Sequence, residues 1–430
     1  RKGALQAGLL MFLIGAAIAT TADSSSTLIF ARAVMGLAAA FVMPSTLSIL
    51  TNVFPTSERP KAIAVWAGVS GGGAAIGPVA SGWLLEHFWW GSVFLVNVPI
   101  IVGALVAGAF IIPTSKNPDN EPIDVPGALL SIAALTTLTY SIIEAPHNGW
   151  TSSETIGLFL LSVLSAALFI MREASVRVPM LDLHLFRDRR FSVASVGMGL
   201  TYFAMFGTFF LMAQYLQLVL DYSPLESGLI QLPFAFIIVA VAPRVPSFVE
   251  RYGVSWVVPA GLTSTAIGLG FLSRLEVDSS LVPVYMAIVP LAVGMAITIT
   301  PLTTLIMSSV PLGRAGVGSA MNDTTRELGG ALGVAVLGSI LTSQYTSGIS
   351  AAVSTLPEEA RGIANSGLSG ALMVSGHTGG GGGDSLAAAA TQAFLDGFSV
   401  AAIVASAVLL AAAIAARFLL PRGTNVYSHS

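Results

Sequence analysis

The stretch GVSGGGAAIGPVASG, Gly68 to Gly82, lies in an apolar part of the chain and contains six glycines and one proline. Glycine, alanine and serine let helix backbones approach closely in a bilayer, where lipid supplies no hydrophobic drive for helix association. Pro78 removes a backbone N–H donor and bends a helix near its middle. Ordinary helix packing in a membrane uses the same residue types, so the order of the glycines and the proline is the informative feature.

The composition around this stretch is that of a polytopic membrane protein. Of the 430 residues, 54% are hydrophobic and only 10% are charged, and the mean hydropathy is +0.82. No soluble globular domain matches these values. The chain has no cysteine and only five scattered histidines, which excludes disulfides and cysteine metal sites and argues against any metal site.

About twelve apolar runs are long enough to cross a bilayer, which takes roughly 20 helical residues. They lie near residues 3–22, 27–54, 59–86, 91–112, 125–145, 155–172, 191–219, 225–249, 254–273, 281–308, 317–341 and 397–420. Most lysines and arginines fall at every second boundary between these runs. The positive-inside rule therefore predicts that both visible termini are cytoplasmic.

Two connections are longer than the other turns. The segment 342–396, which includes GHTGGGGGDS at 376–385, has the glycine and serine content of a flexible loop, so we expect it to be external and mobile. Its glycine run is not a phosphate cradle, because no Gly-Lys-Ser/Thr follows it. The basic segment VRVPMLDLHLFRDRRF at 176–191 is interpreted as a cytoplasmic anchor at lipid headgroups, in preference to a specific ligand site.

The glycine-rich stretch has a characteristic order. Gly73-x-x-x-Gly77-Pro78-x-x-Ser81-Gly82 closely resembles the Gly-x-x-x-Gly-Pro-x-x-Gly-Gly antiporter motif of the major facilitator superfamily. Ser81 replaces one glycine of the final pair, and this small change in volume is compatible with close packing. We expect Gly77 and Pro78 to set a close helix contact and a bend.

The preceding span supports the same resemblance. Arg32 and Gly36 resemble the Arg-x-x-x-Gly core of the superfamily's fourth-helix motif, whose arginine is associated with proton transfer, although Met35 and Ala38 depart from the usual Gln and Gly. An arginine inside a span costs roughly 2.5 to 3.5 kcal/mol and is kept mostly for function or pairing. The alternative is that Arg32 extends to the membrane interface.

The position of these motifs in the helix order implies that two helices precede Arg1. In the superfamily the arginine motif lies on the fourth helix and the antiporter motif on the fifth, whereas here they lie on the second and third visible spans. VERYGVSW at 249–256 resembles the loop between helices two and three of the other half. Because the two halves are parallel repeats, on the order of 60 residues would lie upstream. The chain thus resembles the fourteen-span drug:proton antiporters, the quaternary-ammonium and dye exporters, over its whole length.

The resemblance implies an all-α major facilitator fold in three parts. Residues 1–112 would form an incomplete N-terminal bundle, helices three to six of the family. Residues 113–190 would contain two inserted linker helices and the basic cytoplasmic segment. Residues 191–430 would form a C-terminal six-helix bundle that carries the long external loop.

The stretch MNDTTRELGG, Met321 to Gly330, places three ionisable side chains inside a span. Asp323, Arg326 and Glu327 stand at i, i+3 and i+4 and therefore share one helix face. Two carboxylates share one guanidinium, which leaves one negative charge and predicts a carboxyl group that exchanges protons. A purely structural cluster is the alternative. We take these three residues and Arg32 as the candidate proton-coupling set.

The span from Phe191 carries a candidate substrate-cavity wall. Met and aromatic side chains follow helical spacing there, with a glutamine toward the outer end. Such faces suit flat organic cations through cation–π and sulfur contacts, but a lipid-facing or core stripe has the same pattern. The candidate residues are Met198, Tyr202, Met205, Phe209 and Gln214.

The resemblance implies a proton-coupled antiporter that exports amphiphilic, cationic drugs or dyes across a bacterial plasma membrane by alternating access. Its partners would be a lipophilic small molecule, protons and the lipid bilayer. No cofactor, nucleotide, nucleic acid or metal is expected, nor is enzyme activity, because the sequence shows no catalytic pairing. An exporter of one specific metabolite or self-made antibiotic would use the same machinery. A non-transporting membrane sensor would lack intramembrane charges and add a soluble domain, and the sequence departs from both expectations.

Overall fold

The computed structural model describes residues 2–55, 58, 73, 76–113, 124–176, 179–310, 315–378 and 380–420. Over these ranges the regular structure is entirely helical. Eleven described helices are long and apolar enough to cross a membrane, and each coincides with a predicted span. The span predicted near 59–86 is described only at Gly73 and from residue 76 onward. The all-α polytopic fold class is confirmed.

One compact unit comprises Arg1–Pro122 and Tyr222–Ala235. Its helices are α1 (Lys2–Thr20), α2 (Ser25–Val53), α3 (76–87), α4 (Ser92–Leu95), α5 (Asn97–Ile111) and the first part of α9 (Pro224–Val241). Helices α1 and α2 pack closely, because a Cβ at Gly15 would lie only 2.6 Å from the Met35 Cγ. Ala19, Ala31 and Met35 are buried together between them.

The other compact unit comprises Ile123–Asp221 and Phe236–Ser430. Its helices are α6 (Val125–Asn148), α7 (Ser153–Ser175), α8 (Arg189–Gln214), the rest of α9, α10 (Val245–Tyr252), α11 (Val254–Leu272), α12 (Leu281–Ser308), α13 (Ala315–Val353), α14 (Glu358–Asn365), α15 (Leu368–Thr378) and α16 (Gly380–Leu419). A 3-10 turn at Leu183–Arg187 precedes α8. Phe191, Tyr215 and Phe398 are buried in the core of this unit.

The segment 342–396 is not the flexible loop that its composition predicts. Helix α13 runs for 39 residues, about 58 Å at 1.5 Å per residue, which exceeds the roughly 30 Å of bilayer hydrocarbon. Helices α14 and α15 follow it, and α16 takes in the described end of the glycine run. The Tyr345 hydroxyl donates to the Ala364 carbonyl at 2.9 Å. Arg361 donates to the carbonyls of Val353 and Leu356 at 3.2 and 3.1 Å.

The prediction failed because glycine content was given more weight than the apolar residues around it. Ile349 on α13, Leu368 on α15, and Leu386 and Phe394 on α16 are all buried, so each of these helices is stabilised by packing. The described glycines of the run lie at the start of α16, where fewer intrahelical hydrogen bonds are at stake. The segment is a folded helical subdomain of its unit.

Helices α6 and α7 form a pair that belongs to the second unit. The Ser162 hydroxyl of α7 donates to the Ala134 carbonyl of α6 at 2.9 Å. Between the two helices, the Trp150 indole N–H donates to the Ser343 hydroxyl of α13 at 3.5 Å. Helices α6 and α7 therefore contact each other, and the turn between them contacts α13.

An ion pair between the buried Asp124 and the partly exposed Arg172 closes the other end of the α6–α7 pair. Asp124 caps α6 by accepting from the Gly127 N–H at 3.1 Å. The Arg172 Nε and Nη2 lie 2.8 and 2.7 Å from the Asp124 Oδ1. The Arg172 guanidinium therefore holds the pKa of the Asp124 carboxyl below its usual range. Beside it, the buried Glu173 carboxylate accepts from the Leu181 N–H at 2.8 Å.

We expect Asp124→Asn to lower the melting temperature of the full-length protein in detergent at pH 7.5. A carboxyl whose pKa is lowered on folding contributes stability above its unfolded pKa, about 3.9 for aspartate. This contribution is lost as the pH falls through the folded-state value. The gap between wild type and variant should therefore be full above roughly pH 5 and shrink below roughly pH 4. Glu154→Gln, which changes an exposed carboxyl in the first turn of α7, is the control. Equal melting temperatures at pH 7.5 for wild type and Asp124→Asn would contradict this account.

Candidate functional site

The charged turn of α13 gathers around Arg326. The Arg326 Nη1 lies 3.7 Å from the Asp323 Oδ1, and both side chains are about two-fifths exposed, at 41% and 39%. The Asn322 amide donates to the same carboxylate oxygen at 3.5 Å. Glu327 is exposed, one turn further along, and has no hydrogen-bond or ion-pair partner among the described residues. One guanidinium thus faces two carboxylates but contacts only one of them.

A ring of α8 completes this cluster. The Arg326 guanidinium carbon lies 4.6 Å from the centroid of the Tyr202 ring, within the range of a cation–π contact. Tyr202 is buried, with 7% of its surface exposed. The structure therefore brings together Asp323, Arg326 and Tyr202. Tyr202 was predicted as part of the cavity wall and not of this cluster, because helical spacing shows nothing about contacts between helices.

Glycines hold α8 and α13 in the register that makes this contact. A Cβ at Gly329 would lie 2.9 Å from the Gly199 Cα, and a Cβ at Gly333 would lie 2.8 Å from the Phe203 carbonyl carbon. Both distances are well inside the 3.5 to 4.0 Å optimum for carbon atoms. Gly329 and Gly333 stand four residues apart, the spacing of small-residue helix contacts in membranes. Tyr202 lies on the same stretch of α8 as this glycine contact.

The predicted cavity wall does not form one uniform face. Met198 is fully buried and Tyr202 nearly so, whereas Met205, Phe209 and Gln214 are half-buried. The burial of Met198 matches the core alternative. The last three keep partly exposed side chains along α8, so a wall for an amphiphilic ligand stays a prediction for them.

Arg32 lies in the first unit, on α2, and its side chain is exposed. It has no hydrogen-bond or ion-pair partner within the described part of the chain. A Cβ at Gly36, one turn further, would meet no described atom within 4 Å. The described structure supplies no partner for Arg32, and its role in proton transfer stays a prediction.

The antiporter-type motif packs through Pro78 and Gly82. A Cβ at Gly82 would lie 2.6 Å from the Leu225 Cα at the start of α9. Conversely, a Cβ at Gly228 of α9 would lie 2.8 Å from the Pro78 carbonyl oxygen. The Leu225 N–H also donates to the Glu86 carboxylate at 3.3 Å. Helix α3 and the start of α9 therefore meet with their backbones in direct contact.

Of Gly77 and Pro78, which were expected to set a close helix contact together, Pro78 does so and Gly77 does not among the described residues. A Cβ at Gly73 or Gly77 would meet no described atom within 4 Å. Pro78 and Gly82 are four residues apart and share a helix face, whereas Gly77 is rotated by about 100° from Pro78. Ser81 is half-buried next to Gly82. The partner glycine, Gly228, was missed because it lies far away in the sequence.

Comparison with known families agrees with this architecture. Residues 1–334 match the family model described as Major Facilitator Superfamily. This chain belongs to the major facilitator superfamily. Membership of this superfamily and the helices long enough to span a membrane make it a multi-pass membrane transporter and not an enzyme.

Several relatives in the superfamily align with nearly all of the chain. The multidrug efflux pump LfrA of Mycolicibacterium smegmatis is 34% identical over 96% of this chain and 82% of its own length. The tetracenomycin C resistance and export protein of Streptomyces glaucescens is 33% identical over 96% and 78%. The methyl viologen resistance protein SmvA of Salmonella typhimurium is 31% identical over 98% and 85%. The superfamily's drug-efflux members are thus relatives of this chain.

Solved structures show the same fold at low identity. A bacterial homologue of the human lysosomal transporter Spinster superimposes with a TM-score of 0.55 at 15% identity, over 97% of this chain and 83% of that one. The peptide transporter PepTSo superimposes with a TM-score of 0.53 at 14% identity, over 96% and 83%. These likenesses support the fold alone.

We expect Gly82→Ala to destabilise the full-length protein and Gly77→Ala not to. A methyl group at Gly82 meets the backbone of α9, and overpacking of this kind costs about 1 to 3 kcal/mol. At Gly77 the methyl group meets no atom of the described residues within 4 Å, so the change should be neutral or slightly stabilising. The measurement is the melting temperature of each purified variant in the same detergent. Equal effects of the two substitutions would refute the assignment of the contact to Gly82.

Proposed function

We propose that this protein is a proton-coupled antiporter that exports amphiphilic, cationic compounds across a bacterial plasma membrane by alternating access. The observation that carries the proposal is the pair of carboxylates, Asp323 and Glu327, beside the single guanidinium of Arg326 inside a membrane span. The similarity to multidrug efflux and resistance exporters supports the direction of transport and the breadth of substrates.

The depth of the charged turn fits this role. We take Gly318, the first residue of the candidate span on α13, as its cytoplasmic end. At 1.5 Å per residue, Asp323 lies about 8 Å and Glu327 about 14 Å along the helix from that point, so Glu327 is close to the middle of roughly 30 Å of hydrocarbon. Ionisable residues at such a depth face a cavity or a partner and mark ion or substrate pathways.

The charges on this face allow exchange between a proton and a cation. Asp323 is paired with Arg326 at 3.7 Å, and Glu327 has no described partner, so the turn carries one uncompensated negative charge. A proton can neutralise it, or a cationic substrate can take the same place. Because both neutralise one charge, their binding is mutually exclusive, which is the condition for antiport through a shared site.

The single guanidinium is fixed from two sides. Asp323 holds it by charge, and the Tyr202 ring holds it from α8. A planar cation over an aromatic ring gains about 0.5 to 2 kcal/mol, depending on solvent exclusion. Arg326 thus stays near Asp323 and leaves Glu327 as the more available carboxylate for a proton or a cation.

A second candidate function is export of one self-made antibiotic with the same proton machinery. The specific support is the 33% identity with a tetracenomycin C resistance and export protein from an organism of the genus Streptomyces. An efflux panel on the full-length protein separates the two, because a broad exporter should clear several unrelated dyes and a dedicated exporter should clear none of them.

In the full-length protein, Asp323→Asn and Glu327→Gln should each abolish or strongly reduce dye efflux driven by an imposed pH gradient. The neutral side chains are nearly isosteric, so membrane insertion should persist while the exchangeable proton is lost. Efflux rate is measured in vesicles at several gradients, with protein amount checked for each variant. Asp278→Asn, in the exposed turn before α12, serves as the control. Wild-type rates with an unchanged pH profile in both variants would show that the turn is structural.

Replacement of Arg326 should separate charge from stacking. Arg326→Ala removes the only described counter-charge of Asp323, so we expect a lower yield of monodisperse protein as well as lost efflux. Arg326→Lys keeps the charge but loses the planar face over Tyr202, so it should restore yield more fully than efflux. Size-exclusion profiles and efflux rates report these two quantities. Wild-type yield and efflux for Arg326→Ala would contradict this role.

A further inference from the structure

A cavity of about 600 Å³ lies where the start of α8 meets the end of α16. It is lined by residues 187–190 on one side and residues 418–420 on the other. The proton-coupling turn and the antiporter motif do not contribute to its lining. Helices α8 and α16 both belong to the second compact unit.

One side of the cavity is strongly basic. It is lined by the exposed residues Arg187, Asp188, Arg189 and Arg190, three positive charges and one negative charge, which give a net charge of +2. The Asp188 carboxylate caps α8, because it accepts a hydrogen bond from the backbone N–H of Arg190 at 2.8 Å. None of the three guanidiniums forms an ion pair with a carboxylate in the described ranges. The charge is therefore open to an anion.

The opposite side is apolar. Phe418 and Leu419 are 75% and 47% exposed, whereas Leu420 is buried. Arg417 does not face this group, because its guanidinium carbon lies 3.9 Å from the centroid of the Trp256 ring on α11. That contact holds the end of α16 in place and leaves Phe418 and Leu419 as an apolar surface beside three positive charges.

The basic side is supported by packing. The Phe186 ring lies edge to face with the buried Phe191 ring at 5.2 Å. The Ser192 hydroxyl donates to the Phe186 carbonyl at 2.6 Å. These contacts join the 3-10 turn that carries Arg187 to the first turns of α8. The three arginines are thus presented on a fixed backbone.

We propose that this cavity binds an anionic phospholipid, with the phosphate among the three arginines and the acyl region against Phe418 and Leu419. Basic pockets at helix ends on the cytoplasmic side of membrane proteins suit anionic headgroups, and the positive-inside pattern predicts that side here. A free anion would use only the basic half of the cavity. Residues 421–430, which follow directly, contain one arginine and no acidic side chain, so their side chains carry no charge complementary to the site.

The site differs from a general basic anchor in requiring both halves. A diffuse positive surface attracts any anionic membrane and does not depend on one apolar side chain. A phospholipid bound in this cavity depends on the guanidiniums for headgroup choice and on Phe418 for affinity. The experiment must therefore measure both the headgroup preference and the effect of removing the Phe418 side chain.

The test uses the full-length protein, delipidated in detergent. It is titrated with phosphatidylglycerol or with phosphatidylcholine of identical acyl chains. Native mass spectrometry counts the lipid molecules that remain bound. The wild type should prefer phosphatidylglycerol. Arg187→Gln/Arg189→Gln/Arg190→Gln should lower its affinity about 100-fold, at about fivefold per arginine, and leave phosphatidylcholine unchanged. Phe418→Ala should weaken binding of both lipids. Arg251→Gln/Arg274→Gln, which changes two arginines outside the cavity lining, should keep the preference.

Three results would overturn the proposal. The first is a phosphatidylglycerol preference that survives the triple substitution. The second is full displacement of the lipid by millimolar inorganic phosphate together with no effect of Phe418→Ala, which would identify a site for free anions. The third is an equal loss in the Arg251/Arg274 control. If the triple variant does not fold, Arg190→Gln alone should give about a fivefold loss, and no loss would equally overturn the proposal.

Discussion

Direct contact between helix backbones is the constraint on which both units depend. A bilayer is as apolar as a leucine side chain, so helices in it gain little from hiding apolar surface and associate through close dispersion contacts. In the second unit, Gly329 meets Gly199 and Gly333 meets Phe203. This contact fixes the rotation of α13 about its axis. Because rotation sets the direction of every side chain on the helix, the glycines also decide that Arg326 lies over Tyr202.

The same device recurs with hydroxyl groups where helices α11 and α12 meet. A Cβ at Gly261 or Gly294 would collide with the opposite helix. Thr265 and Thr298 donate their hydroxyls to the Gly261 and Gly294 carbonyls four residues earlier, at 3.1 and 2.7 Å. Each buried hydroxyl is therefore satisfied within its own helix, and the contact between helices stays free of unpaired donors. A glycine followed four residues later by a threonine thus allows the two helices to pack closely and also provides a hydrogen-bond acceptor for the threonine hydroxyl.

The sequence could predict the spans but not all of the contacts between them. Span length is set by bilayer thickness, so a hydropathy reading located eleven helices that the structure describes. The segment 342–396 was wrongly predicted to be a flexible loop, because its glycine run was weighted above apolar residues such as Ile349 and Phe394, which are buried in helices. Gly77 was favoured over Gly82 because motif order shows which residues are small, whereas the facing partner Gly228 decides which of them is in contact. The charged turn was visible in sequence, but Tyr202 approaches it from another helix.

Pairing distance, more than burial, distinguishes the arginines of this chain, because the side chains of Arg172 and Arg326 are 36% and 41% exposed. Arg172 is held by Asp124 at hydrogen-bond distance, so moving it would cost both the ion pair and the cap of α6. Arg326 lies 3.7 Å from Asp323, a looser pair, which suits the exchange of a proton and a cation that we propose for this turn. Arg190 and its neighbours in the basic cavity have no described carboxylate to hold them, and their charge is complementary to an external anion. Tight pairing thus belongs to the scaffold, and a shared or absent counter-charge leaves an arginine able to act on something else.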